Sequence, residues 1–281
     1  MKKPYIKKYK EVDGLIFYIV DGNYIRNFID DQFTDFALHE RFHFIPCGQA
    51  WIDRQTGGKK EYNYFVTNIL AERKALKSGQ DIWQAGDVGS VAEKKARRFE
   101  IKKPIKIKIL YKYANIIIWL VRGAQVRLQK DVNFTQGGHD RVYSYIKPKK
   151  GQGEIWIDDE VPDPQDREDI ALHEMHERND MELGQSYGHG NRVTGAHASA
   201  SFEEKLARRN PELLKSLVEK EKEIARIIYE EGTGESARKH IKDLEKGWNR
   251  AIKFDICRQY RRPKYGKRVH RHTDKSLATI K

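Results

Sequence analysis

His173, Glu174, Glu177 and His197 have the side-chain types and spacing for metal chemistry. The first three lie in Ile170-Ala-Leu-His-Glu-Met-His-Glu-Arg178 and the fourth in Ala196-His197. On a helix, residues four apart share a face, so His173 and Glu177 point the same way. An imidazole and a carboxylate one turn apart can bind one divalent cation. Glu174, beside the first ligand, is placed to hold and deprotonate a water at that cation. A third ligand must come from elsewhere, and His197 on the following helix is the best candidate. His176, three residues from His173, borders the same face and is an alternate ligand; Glu204, two turns beyond His197, is the other. A His/Glu/His set suits zinc, and a carboxylate-richer set also suits manganese or iron.

These residues sit in the second copy of a duplicated pattern. Gly22, Arg26, Phe33-Thr34, Trp51-Ile-Asp53, Glu72-Arg73, Gly79-Gln80 and Ala96-Arg-Arg98 return as Gly123, Arg127, Phe134-Thr135, Trp156-Ile-Asp158, Glu177-Arg178, Gly184-Gln185 and Ala207-Arg-Arg209. His173, Glu174, His176 and His197 have no counterparts, because Asn68, Ile69, Ala71 and Gly86 stand in their places. An apolar Ile69 against Glu174 implies a different burden at that position. The rival reading is structural: Glu-Arg occurs in both copies, as an ion pair would, and Glu93 matches Glu204 as scaffold.

A second histidine pattern, His39-Glu-Arg-Phe-His43, lies in the first copy against His139-Asp-Arg-Val-Tyr143. Both stretches read as hairpin. Residues four apart on a strand lie roughly 13 Å from each other, too far to share an ion. Gly137-Gly-His139 reads as a glycine-assisted turn, with His139 able to approach the site.

The elements that must position these residues alternate short strands with helices, an α+β plan of two tandem similar units. Residues 15–30 read as strand, Asp21-Gly22 turn and strand, with further strands at Phe42–Pro46 and Ala50–Asp53. Helices follow at Glu61–Lys77 and Val88–Phe99. Lys102–Lys108 reads as an exposed strand or connector. In the second unit Ile116–Val121, Gln125–Leu128, Val142–Ile146 and Gly153–Asp158 read as strands. The next helix has Asp163 as N-cap, Pro164 at its first position and Gly184 as its stop. A helix through Ala196–Arg209 ends before Pro211. Glu212–Glu231 is amphipathic, with Leu213, Leu217, Ile224 and Ile228 as a packing stripe. The units are drawn at 1–108, 109–211 and 212–281.

The stretch covering roughly residues 150–210 resembles the zincin metallopeptidases, whose hallmark is His-Glu-x-x-His on a helix. The resemblance implies His173 as zinc ligand, Glu174 as general base and a peptide-like substrate; Glu177 replaces the family's second histidine. Residues 117–209 also resemble an uncharacterised family of phage-type proteins, in which a Trp-Ile-Asp strand precedes a His-Glu-x-x-Glu-Arg helix and an Ala-His helix. That resemblance implies a fold and leaves the activity open.

Bulk properties add a second function class. The 281 residues carry a net charge of +13, with 34% charged and 38% hydrophobic residues. Such a balance favours polyanions. The segment Ser236–Lys281 is strongly basic, and its last thirty or so residues read as a flexible tail. There Arg258, Arg261, Arg262, Lys264, Lys267 and Arg268 interleave with Tyr260 and Tyr265, which suits phosphate contact and base stacking. The alternative to a metallohydrolase is therefore a non-enzymatic, phage-type structural or nucleic-acid-associated protein. Lys106, Lys108 and Lys112 interrupt the most apolar stretch, so no membrane span is expected. Cys47 and Cys257 form no framework, and a reduced cytoplasmic setting (host cytoplasm or virion for a phage protein) is expected.

Overall fold

The protein is described by a computed structural model covering residues 4–30, 32–55, 59–188 and 195–261. Among these residues the duplication is visible as two four-stranded sheets of the same strand order. In the first repeat β1 (Tyr5–Val12) pairs antiparallel with β2 (Leu15–Val20), which runs parallel to β4 (Gln49–Asp53). The short β3 (Phe36–Leu38) closes the far edge, antiparallel to β4. In the second repeat β5 (Lys106–Tyr113), β6 (Ile116–Val121), β8 (Gly153–Asp158) and β7 (Gly137–His139) take the same places. The chain is thus α+β, built from two similar strand-plus-helix units.

The central strands read as unbroken apolar runs, LIFYIV in β2 and IIIWLV in β6. Such runs mark a strand covered on both faces. On one face Phe17, Ile19 and Ile52 pack against Phe65, Val66 and Ile69 of α2 (Lys59–Lys77). Ile118, Ile155 and Ile157 do the same against Ile170, Ala171 and Met175 of α5 (Pro164–Glu182). On the other face Val20 and Trp51 meet Ile25 of α1 (Gly22–Phe28), and Val121 and Trp156 meet Val126 of α4 (Gly123–Gln129). Helices α3 (Ile82–Arg97) and α6 (Ala196–Arg209) follow α2 and α5 in their repeats. After a 3-10 turn at Pro211–Leu213, α7 (Leu214–Glu231) packs on α5 and contributes Ala225 to the second core. Residues Met1–Ile241 form one compact unit that holds both repeats; Lys242–Lys281 form another.

Helices α1 and α4 replace the second strands expected around residues 23–30 and 125–128. The reason is a helix start at each glycine. Asp21 caps α1 by accepting from the Tyr24 amide at 3.2 Å. Gly22 and Gly123 donate to the buried Asp53 and Asp158 carboxylates at 3.1 and 3.2 Å. A Cβ on either glycine would lie 1.8 Å from the carboxylate oxygen, so the approach requires glycine. The same aspartates accept from Arg26 and Arg127, at 2.8 and 3.0 Å. The repeated Gly, Arg and Asp landmarks are therefore one structural device made twice.

Other expectations shift. Phe42–Pro46 and Val142–Ile146 are turns, and Gly137-Gly138 belong to β7. β1 was not anticipated as a strand. His39–His43 is a turn that brings the two rings within 5.4 Å, not an extended pair, and His39 Nδ1 lies 2.6 Å from the Ile45 carbonyl. The basic C-terminal segment begins as a helix, α8 (Glu235–Arg261), which corrects the expected tail up to Arg261. Arg258 and Arg261 fall on that helix, and Arg262, Lys264, Lys267 and Arg268 lie outside the described residues.

The repeats contact each other reciprocally. Ser90 of α3 donates to Asn133 at 2.7 Å, and Gln32 donates to Ser201 of α6 at 2.8 Å. Arg127 also reaches across to Glu61 at 3.1 Å, and Arg208 to Asn27 at 3.4 Å, without being copies of one another. Contacts that recur with the partners exchanged are those of a two-fold arrangement. The cluster formed by His173, Glu177 and His197 lies beside this seam.

Candidate metal centre

Helix α5 carries a heavily polar buried face because it is enclosed by β7, β8, α6 and α7. Its Glu177 is 3% exposed and stands at the centre of the cluster. Glu177 Oε2 lies 2.7 Å from His197 Nδ1 and 3.4 Å from His173 Nε2, and the two ring nitrogens are 3.3 Å apart. The other oxygen, Oε1, lies 2.9 Å from His139 Nε2.

The outer partners of each ring orient it. His173 Nδ1 stands 2.8 Å from Glu204 Oε2, and Arg208 Nε donates to the other oxygen of Glu204 at 2.8 Å. His197 Nε2 faces Gln32 Oε1 at 3.0 Å, and Gln32 is oriented by its donation to Ser201, whose hydroxyl donates to the His197 carbonyl at 2.8 Å. His197 Nε2 thus faces a hydrogen-bond acceptor, whereas His173 Nδ1 meets Glu204 at ion-pair distance without hydrogen-bond geometry. The inner nitrogens point toward each other and toward Glu177 Oε2. The Arg141 amide donates to His139 Nδ1 at 3.2 Å, so its proton is on Nε2, aimed at Glu177 Oε1. His139 holds the carboxylate, and His139, Glu174 and Glu177 are themselves close enough together to hold an ion.

His173 Nε2, His197 Nδ1 and Glu177 Oε2 are close enough to hold a metal ion, which would displace the ring protons now shared with the carboxylate. Zinc bonds of 2.0–2.1 Å at tetrahedral angles place neighbouring ligand atoms roughly 3.3 Å apart. Two of the three separations match; the His197–Glu177 one is that of a hydrogen bond. Burial opposes a charge on His173, but the Glu177 and Glu204 carboxylates outweigh it and lift its pKa to about 10. Against burial, the hydrogen bonds from the three imidazoles hold Glu177 far below the ordinary carboxylate range. Both directions say that the cluster attracts positive charge.

Glu174 borders the same cavity of about 100 Å³ as His173, His197 and Glu204. Burial first, then repulsion from Glu177, raises it to about 8, with His173 opposing the shift. Gln136 also lines this cavity, and its buried Nε2 has no hydrogen-bond partner.

Each expected site residue now has a place. His173, Glu177 and His197 come together; Glu174 adjoins them; Glu204 orients His173 from behind. His176 turns the other way, with Nδ1 2.9 Å from Glu221 and Nε2 2.7 Å from Ser199. Glu203 and Asp180 join that second cluster, and Lys220 of α7 supplies its cation, bonding Glu203 and lying 3.1 Å from Glu221. It is a buried ion network that ties α7 to α5 and α6. The shared Glu-Arg dipeptides are not ion pairs, since adjacent helix residues diverge by about 100°. Arg178 pairs with Asp140 and Glu182, and Arg73 donates to the Asp13 carbonyl.

Sequence reasoning missed Gln32, which reaches His197 from 165 residues away. It also aligned His139 with His39. Strand pairing puts Leu38, opposite Ala50, at the position of His139, opposite Ile155. A buried leucine in one copy against a buried histidine in the other was the available signal.

No match was found. The chain has no counterpart among the protein-family models, curated proteins and solved structures compared with it. No helix among the described residues is long and apolar enough to cross a membrane.

Proposed function

We propose that the protein is a zinc-dependent hydrolase, with His173 Nε2, His197 Nδ1 and one oxygen of Glu177 as ligands. The observation that carries this reading is the convergence of His173, His197 and Glu177 to within metal-holding distance of one another. A carboxylate-bearing set also admits manganese or iron. When bound, the ion supplies Lewis acidity toward a carbonyl and toward water.

The chain's own residues divide the remaining work. Glu174, on the wall of the same cavity, accepts the proton of the attacking water and returns it to the leaving group. Gln136 offers its unpartnered amide N–H to the substrate oxygen on which charge develops, the kind of preset donor that stabilises such charge. His139 and Glu204 position Glu177 and His173. The cavity of about 100 Å³ admits a reacting group with a water or two, at about 30 Å³ each, so the bulk of a substrate lies outside it. Attack on a peptide carbonyl fits this layout and agrees with the zincin resemblance.

Metal analysis after equilibration with zinc tests the site. One ion per chain is expected, lost in His173→Ala and in His197→Ala. Glu174→Gln separates binding from chemistry: it should keep the ion and lose cleavage of an unfolded protein substrate such as casein. Protein that takes up no metal rules the proposal out.

A further inference from the structure

The seam between the repeats opens on a second, larger cavity of about 540 Å³. Gln32, Thr34 and Thr135 line both it and the small cavity of the cation site, so the two adjoin. It is the first repeat's version of that site: Asn68 and Glu72 occupy the positions of His173 and Glu177. Most polar groups here are already engaged. Arg41 binds Glu72 and the Ile82 carbonyl, Asn68 donates to Glu93, and Ser90 donates to Asn133.

What remains unengaged points to one ligand chemistry. Asp35, at the position of Gln136 in the second repeat, is 1% exposed, and its Oδ1 has no hydrogen-bond partner. Its other oxygen lies 3.5 Å from Arg127, whose charge is already shared with Glu61, Asp158 and Glu160. Exposed carboxylates of Glu40 and Asp87 line the same cavity, and so does the Trp83 ring, 71% exposed. Carboxylates with an open indole face suit a cation on an apolar stem. A chain of net charge +13 repels cations in general, so this local surplus is specific.

We infer that this cavity binds a basic side chain, a primary amine or guanidinium of a lysine- or arginine-containing polypeptide, next to the cation centre. Asp35 receives the charged head and Trp83 covers the stem. That the bound group belongs to a substrate rests on the hydrolase reading; the binding itself does not. Burial, opposed by Arg127 and aided by the neighbouring carboxylates, raises Asp35 to about 7, so a bound cation would also ionise it.

Isothermal titration of the full chain with Nα-acetyl-arginine amide and Nα-acetyl-lysine amide tests this, with Nα-acetyl-norleucine amide as the neutral isostere. At least one basic probe should bind saturably, with the isostere about tenfold weaker or worse, a difference of about 1.4 kcal/mol. Asp35→Asn should remove most of that preference, and Trp83→Ala, on the surface, should weaken the basic probe several-fold. The inference fails if no probe binds, if norleucine binds equally, or if both variants behave as the parent. Zinc uptake measured on the same samples keeps the proposals apart: zinc without probe binding sinks this one, and probe binding without zinc sinks the hydrolase.

Discussion

Arg41 Nε lies 2.7 Å from Glu72, the carboxylate that occupies in α2 the position Glu177 holds in α5. The first repeat thus gives its buried carboxylate a permanent cation. Gly86 makes room for it, since a Cβ there would lie 2.2 Å from the guanidinium. In the second repeat Gly86 becomes His197, and Val142 stands at the position of Arg41. Three imidazoles then surround the carboxylate, and the positive charge must be supplied as protons or as a metal ion. Arg41→Ala should therefore destabilise by about 1–3 kcal/mol through an unpaired buried carboxylate. Urea denaturation would measure it. Zinc should raise the melting temperature of parent and variant alike, because the proposed site lies in the other repeat.

His139→Phe should weaken zinc binding by about 10–100-fold without abolishing it, the usual effect of removing an outer-shell partner. Competition against a chromogenic chelator would show this. Loss of all binding would make His139 a ligand instead.

The fold and the site were legible to different depths in the sequence. The repeat, α5 with its Asp163–Pro164 start, and α6 were readable because caps and spacing are local signals. α1 and α4 were not, since seven-residue helices next to apolar strands have too little periodicity to show. The His173–Glu177 pairing followed from helical spacing alone. The roles of His139, Gln32 and Glu204 depend on the folded seam, where β7, the 32–35 loop and α6 meet α5, and no local pattern announces that meeting.

Arg127 is 1% exposed and answers Asp35 and Glu61 across the seam and Asp158 and Glu160 in its own repeat. Burial disfavours its charge, but these carboxylates hold its pKa well above the ordinary value. Arg127→Met should cost about 3–5 kcal/mol, the range for stranding buried charges. A variant as stable as the parent would show that the network contributes little.

Asp35 supplies a pH signature. Its folded pKa of about 7 is raised above the unfolded value of 3.8, chiefly by burial. The folded state therefore holds a proton that the unfolded state releases, and this group's contribution falls as pH rises between those values. Asp35→Asn, which cannot ionise, should melt higher than the parent at pH 8, and the gain should shrink as pH is lowered to 5. A gain that grows on acidification would contradict the assignment.

X-ray absorption of the zinc-loaded full chain examines the ligand set directly. Two histidine nitrogens and oxygen donors at about 2.0–2.1 Å are expected, with one histidine signal lost in His173→Ala or His197→Ala. A zinc spectrum without histidine scattering, or one unchanged in both variants, would contradict a centre built from His173, Glu177 and His197.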